Sequence, residues 1–242
     1  MERPMTPRFA IGDGYAFYEG PSGDGAFHRH AAFQIAGAVR GEVVMVDAAG
    51  TSHRAATLLV PPMAWHRLVP AEGLRTFFVE PHCAFADRLR AHCGTGVTPV
   101  PEWHGLSEQD VHRAAVRPAE ELDPRLLTAM RILGEEQISM PDLAAKAGLS
   151  PQHLRALARR QLGMPLTRWR IWRRLRGGVE ALRAGRPVAE AAVLGGFADQ
   201  AHFTRRLREM IGLTPAVVLP LLCPPPPESV SPGKRRTPRS SR

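Results

Sequence analysis

The sequence is poor in cysteine. Its three cysteines, Cys83, Cys93 and Cys223, form no CxxC pair and no cluster. That excludes a disulfide framework and a cysteine-built zinc site, and it fits free thiols in a reducing cytosol. Long hydrophobic runs are also missing. No apolar stretch approaches the roughly 18 residues a membrane helix needs, and the opening MERPMTPRFA has no apolar core of a secretory signal. Neither a membrane partner nor export is expected, and the expected location is cytoplasmic, at the nucleoid. Acidic residues are scarce in the second half. Residues 1–123 hold 11 Arg against 15 acidic residues, residues 124–222 hold 16 Lys and Arg against 7, and residues 223–242 hold 5 against 1. The formal charge of +9 thus comes from the later part of the chain. This asymmetry is the footprint expected when only the second part meets phosphate. Hydrophobic residues make up 44% of the 242, enough for a packed core in one large or two small domains.

The most structured information lies between Met140 and Val217, where a short helix, a turn and a longer helix are written twice. In the first copy Leu143, Ala144 and Ala147 share a face, Gly148-Leu149-Ser150 makes the turn, and Ser150-Pro151 is an N-cap followed by a proline suited to the first helical position. In the second copy Ala191, Ala192, Gly196 and Phe197 repeat Leu143, Ala144, Gly148 and Leu149, with Asp199 as the cap. The offset is 48 residues before the turn and 49 after it, so the second turn is one residue longer. Two such units in one chain put two recognition helices on one face, about one DNA turn apart. Leu166 to Ala184 reads as one connecting helix with Trp169, Trp172, Leu175, Val179 and Leu182 inward. Its other face, Arg168, Arg170, Arg173, Arg174 and Arg176, is suited to backbone phosphates. Gly177-Gly178 within it costs helix stability, about 1 kcal/mol per glycine against alanine, unless it serves close packing or a bend. Asp123-Pro124 opens a bracing helix with Leu126, Leu127, Met130 and Leu133 inward.

The stretch GGFADQAHFTRRLREMIGLTP resembles the signature that closes the DNA-binding domain of the AraC/XylS family of bacterial transcription regulators. The resemblance runs from about Leu122 to Leu219. It implies that Gln152, Arg155 and Ala156, with Gln200, Ala201, Thr204 and Arg205, face the major groove. The face pattern adds Arg159 and Arg208 to the exposed set. Arg can pair bidentately with guanine and Gln with adenine, whereas the two alanines offer only methyl contact, so Arg155, Gln200 and Arg205 are expected to carry most base readout. His153 and His202 are expected in packing or phosphate contact.

Before this, short β-rich runs alternate with turn signals: Phe33–Ile35, Val43–Val46, Thr57–Val60, His66–Val69 and Thr76–Val79. They indicate a small antiparallel barrel or jelly roll. His28-x-His30-x-x-x-Gln34, followed by Gly41 and by Pro61-x-x-x-x-His66, resembles the two motifs of the cupin barrels. The chain departs from them with Gln34 at a usual Glu and Met63 at a usual Gly. Two readings stay open. His28, His30 and His66 form a three-His site for a divalent metal such as Zn, Fe or Ni, or they line a ligand pocket and satisfy one another by hydrogen bonds. Phe33, Gln34, Trp65 and Phe78 are the candidate pocket lining.

The expected fold is therefore α+β with two domains: a cupin-like antiparallel β-barrel of residues 1–82, a helical linker of 83–122, an all-α domain with two helix-turn-helix units at 123–220, and a disordered basic tail of 221–242. The expected function is sequence-specific DNA binding in transcription regulation, with no catalysis. Promoter DNA, RNA polymerase, a small-molecule effector and a second copy of the chain are the expected partners. The alternatives are a metal-dependent cupin enzyme with an accessory DNA-binding domain, against which Gln34 argues, and a protein adaptor, against which the basic second half argues.

Overall fold

The computed structural model describes residues 7–23, 25–211 and 219–220. The expected basic tail, Cys223 and most of the closing signature after Ile211 lie outside the described residues.

Eight strands come first: β1 (Arg8–Gly12), β2 (Tyr15–Ser22), β3 (Phe33–Ala38), β4 (Val43–Asp47), β5 (Ser52–Ala55), β6 (Thr57–Val60), β7 (His66–Leu68) and β8 (Ala71–Val79). Then come α1 (Ala84–His92), β9 (Thr98–Pro99), a single 3-10 turn, α2 (Glu108–Ala115) and six further helices. The strands form two antiparallel sheets, one ordered β1-β2-β8-β3-β6-β9 and the other β5-β4-β7. Among the described residues neither sheet closes on itself, so the expected closed barrel is not formed. Alternating hydrophobicity sets which face of a strand is buried, but it carries no information on whether the last strand pairs with the first.

The pairing register explains the two faces of the larger sheet. Ala16, Phe78 and Gln34 lie in one row across β2, β8 and β3, and Tyr18, Thr76 and Ala36 in the next. Their neighbours in sequence point the other way, as the period of two requires. Phe17, Phe33, Ile35, Phe77 and Val79 therefore form a separate core with Phe85, Leu89 and Val111 of α1 and α2. The segment expected as a linker is in this way part of the N-terminal domain: α1 and α2 cover the back of its sheet. Ser107 and Asp110 form a reciprocal capping box that starts α2.

The helical domain runs α3 (Pro124–Glu135), α4 (Met140–Lys146), α5 (Pro151–Leu162), α6 (Leu166–Arg183), α7 (Val188–Leu194) and α8 (Gln200–Ile211). The repeat read from the sequence is present in the backbone. α7 begins 48 residues after α4, and α8 begins 49 after α5. Gly148 and Gly196 hold the same left-handed turn, with φ of 67° and 74°, a conformation glycine adopts without steric cost. Leu154 and Ala158 of α5 match Phe203 and Leu207 of α8, all buried. The five expected inward residues of α6 are buried too. Gly178 marks where α6 and α8 touch: a Cβ there would lie 2.7 Å from a ring carbon of Phe203. The pair Gly177-Gly178 thus serves close packing, through its second member.

Candidate functional site

The candidate nucleic-acid face lies on α5 and α8. Ser150 caps α5 by accepting a hydrogen bond from the His153 N–H at 3.2 Å, and Asp199 caps α8 through His202 N–H at 2.6 Å. With Leu154, Leu157 and Ala158 turned inward, Gln152, Arg155, Ala156 and Arg159 are exposed on α5. With Phe203, Leu207 and Met210 inward, Gln200, Ala201, Arg205 and Arg208 are exposed on α8 and Thr204 is half-buried. Among the described residues none of Arg155, Arg159, Arg205 and Arg208 has an ion-pair partner. His153 is exposed, whereas His202 packs edge-on against the Phe197 ring.

Three of the five arginines expected on the phosphate side of α6 are paired with carboxylates of the chain. Arg168 pairs with Glu209 at 2.5 Å. Arg173 and Arg176 turn toward the N-terminal domain and meet Glu80, just beyond β8. Glu80 is fully buried. One oxygen accepts from the Trp172 indole N–H and from Arg176 Nη1, each at 3.1 Å, and the other faces Arg173 at 3.5 Å. Burial pushes its pKa up, but Arg176, His82 and Arg173 outweigh this and hold it below the usual carboxylate value. Arg176 also donates to Glu180 at 2.9 Å and to the Gly12 carbonyl at 2.6 Å. Arg173 and Arg176 join the two domains, and no sequence pattern linked Glu80 to them. The one available signal was a lone carboxylate at the end of an apolar strand.

Beside this cluster lies a cavity of about 170 Å³ between the larger sheet and α6. Ala16, Tyr18, Gln34, Thr76 and Phe78 form its sheet wall, and Trp172, Leu175 and Val179 its helix wall, with Ile211 of α8 adjoining. Of the expected lining, Gln34 and Phe78 are there. Phe33 is in the core behind the sheet, because consecutive strand residues face opposite sides. Trp65 is on the surface at 41% exposure, its ring 4.8 Å from the Arg29 guanidinium.

The histidines converge as the motif spacing demanded. His28 and His66 form a two-residue antiparallel bridge, with N–H to carbonyl distances of 3.0 and 3.1 Å. This puts both rings on one side, where His30 joins them. Their ligand-capable nitrogens lie within 4.8 Å of one another. Met63, in the usual glycine position, holds a left-handed φ of 66°, a strained conformation for a side chain with a Cβ.

The hydrogen bonds decide what this trio can hold. Nδ1 of His28, His30 and His66 faces the carbonyls of Ala26, Ala32 and Ala64 at 2.9, 2.7 and 3.0 Å. Each Nδ1 therefore carries the proton and each Nε2 is a lone pair. Burial, and then the neighbouring ring His28, holds His30 down at about 4; burial also lowers His28 and His66, so the rings are neutral near pH 7. The Gln34 amide sits 3.0 Å from Nε2 of His30 and 2.8 Å from Nε2 of His66, and 3.2 Å from the Thr76 hydroxyl. Amide nitrogen and oxygen are assigned from their partners. The structure sets the Gln34 oxygen toward both Nε2 atoms and its NH2 toward Thr76; two acceptor nitrogens call for the flipped amide, its NH2 between them and its oxygen accepting from Thr76. This arrangement satisfies Nε2 of His30 and His66, leaves that of His28 open, and places an amide where a metal's ligands would have to converge. With the amide so placed, a metal ion would have to displace it from two of the three nitrogens.

Residues 143–219 match the model of a helix-turn-helix domain family. No curated protein matches the sequence. Among solved structures, ToxT from Vibrio cholerae superposes with a TM-score of 0.56 at 10% identity, over 87% of this chain and 99% of that one. ToxT with an unsaturated fatty acid bound gives 0.56 at 12%, over 91% and 98%. ToxT bound to a naphthalenyl butenoic acid gives 0.56 at 9%, over 87% and 100%. At these identities the likeness is one of fold. Among the described residues no helix is long and apolar enough to cross a membrane.

Proposed function

We propose that the chain is a DNA-binding transcription regulator of the AraC type, a reading supported by the helix-turn-helix match and the ToxT-like fold, and that α5 and α8 read two successive stretches of one duplex. Arg155, Gln200 and Arg205 carry most base readout, Gln152 and Thr204 add polar contacts, and Ala156 and Ala201 fit thymine methyls. Arg159 and Arg208 hold phosphate. The observation that carries this reading is the backbone repeat with unpaired, exposed arginines on both second helices. Catalysis forms no part of the proposal. The protein works at the nucleoid, in the cytoplasm, with RNA polymerase and a second copy of the chain as further partners.

The cavity is the effector site in this reading. ToxT has been solved with an unsaturated fatty acid, which supports a small ligand in this fold. Here the helix wall is α6, the element that connects the two reading units. A ligand against Trp172, Leu175 and Val179 bears directly on how those units sit. We read the N-terminal domain as an opened relative of a cupin barrel, its His trio and Gln34 serving as a polar floor in place of a metal centre.

The test is selection from random duplex DNA at two salt concentrations. Enrichment of two motifs about one helical turn apart supports the tandem reader. Salt-sensitive binding without an enriched motif, with and without extracts of small molecules, overturns base readout and leaves only phosphate binding.

A further inference from the structure

The walls of the junction cavity specify the chemistry of what enters it. Its volume, about 170 Å³, is close to that of an apolar protein cavity of about 150 Å³ that holds benzene. Phe9, Phe78, Trp172, Leu175 and Val179 make the lining largely apolar. Among the described residues only Glu80 and Arg176 bring formal charge to its lining, and each is already matched. The Arg176 guanidinium spends Nε on Glu180, Nη1 on Glu80 and Nη2 on the Gly12 carbonyl. Glu80 spends its oxygens on Trp172, Arg176 and Arg173. A ligand carboxylate entering here finds no unmatched cation. It would lose its hydration without compensation or have to displace a buried carboxylate, and either is costly. An ammonium group meets the mirror-image difficulty at Glu80.

The neutral polar groups are mostly spent as well. The Tyr18 hydroxyl donates to the Pro21 carbonyl at 2.6 Å, and Thr76 and the Gln34 amide serve each other. Two exceptions remain: the Ser22 hydroxyl, which accepts from the Ala71 N–H at 3.0 Å, and the sole free acceptor nitrogen among the described lining residues, on His28. Its Nδ1 is held by the Ala26 carbonyl, so Nε2 is an acceptor, and among the described residues it has no hydrogen-bond partner.

We propose that the cavity binds a neutral, apolar molecule of about one ring that offers a single hydrogen-bond donor to His28, an alcohol or a phenol, and discriminates against carboxylates. This rests on the reading of the cavity as the effector site. The internal Glu80 carboxylate occupies the position from which Arg176 and Arg173 would otherwise recruit an anionic ligand.

The experiment is calorimetric titration of the full chain with benzyl alcohol, toluene and benzoate, three probes of one size. Benzyl alcohol is expected to bind about fivefold tighter than toluene, the worth of one net hydrogen bond, and more than about tenfold tighter than benzoate, which has no free counter-ion. His28→Phe should abolish the preference for the alcohol over toluene. Glu80→Gln, which strips the internal anion from Arg176, should raise benzoate affinity by at least about tenfold. The ratios in the unaltered chain decide the matter should either variant fail to fold. Benzoate binding as tightly as the alcohol overturns the ligand class and leaves the effector site standing. No binding by any probe at millimolar concentration overturns both. Tight alcohol binding that leaves DNA affinity unchanged keeps the class and overturns the effector role.

Discussion

Glu80 and Arg176 form a buried ion pair across the two domains, oxygen to nitrogen 3.1 Å, with the carboxylate 1% exposed and the guanidinium 14% exposed. The carboxylate follows β8 and the guanidinium is on α6, so the pair ties the larger sheet to the helix that connects the two helix-turn-helix units.

Removing one member leaves the other charge buried without its partner. Glu80→Gln is expected to destabilise the chain by about 3 kcal/mol, the lower end for a broken buried pair because Arg173 and Arg176 keep some access to water. Urea unfolding followed by tryptophan fluorescence measures this. A change under about 0.5 kcal/mol would show that the pair does not hold the junction.

Acid should weaken the N-terminal domain in a defined window. The folded pKa values of His28, His30 and His66 are depressed, His30 to about 4. The folded state therefore favours the neutral rings. Stability is full above the unfolded value of about 6.5 and is lost as pH falls from there toward about 4, because the unfolded chain binds the extra protons. Stability measured between pH 7 and 4 should fall across that range, and His30→Phe should flatten the slope. An unchanged slope in the variant would remove the trio as its cause.

Gln34→Glu restores the residue usual in cupin motifs. A carboxylate among three His nitrogens completes a set of metal ligands and removes the amide protons that now occupy two lone pairs. The variant is expected to bind zinc or nickel stoichiometrically, while the unaltered chain does not. Metal analysis after dialysis checks both, and equal metal content in the two would disprove the role given to the amide.

Two adjacent glycines should respond in opposite directions to alanine. At Gly177 the nearest atom to a new Cβ is 3.9 Å away, so helix propensity alone acts and Gly177→Ala should stabilise by about 1 kcal/mol. At Gly178 the Cβ would lie 2.7 Å from the Phe203 ring, and overpacking of this kind costs about 1–3 kcal/mol. Thermal unfolding of both variants tests the contrast, which vanishes if α6 and α8 are not in contact.

Arg205→Ala is expected to weaken specific DNA binding by about 1–3 kcal/mol and to relax preference at one base pair. Arg206, paired with Glu209 at 2.6 Å, should when replaced by alanine leave sequence preference intact. Selection from random DNA with each variant compares them; identical preferences in the Arg205 variant and the unaltered chain would take base readout away from that residue.

The sequence by itself determined the helical domain almost entirely. Ser150, Pro151 and Asp199 act on their own helix ends, Gly148 and Gly196 on their own turns, and the buried stripe from Trp169 to Leu182 follows from 3.6 residues per turn. These are interactions within a few residues, which local chemistry dictates, and writing them twice made the pattern legible. The meeting of His28, His30 and His66 was legible too, since strand alternation puts the first two on one side. Alternation also forbade Phe33 and Gln34 from sharing a pocket, a constraint the choice of lining residues did not apply. Only the tertiary structure decided the rest. Whether the sheets close depends on the distance between the first and last strands. The carboxylate partners of Arg168, Arg173 and Arg176 are Glu209 and Glu80, the latter more than 90 residues away in sequence. The cavity exists because a sheet wall and a helix wall from different domains fail to fill the space between them. Such features are set by shape and charge matching between distant segments, and nothing in the spacing of residues along one segment encodes its partner.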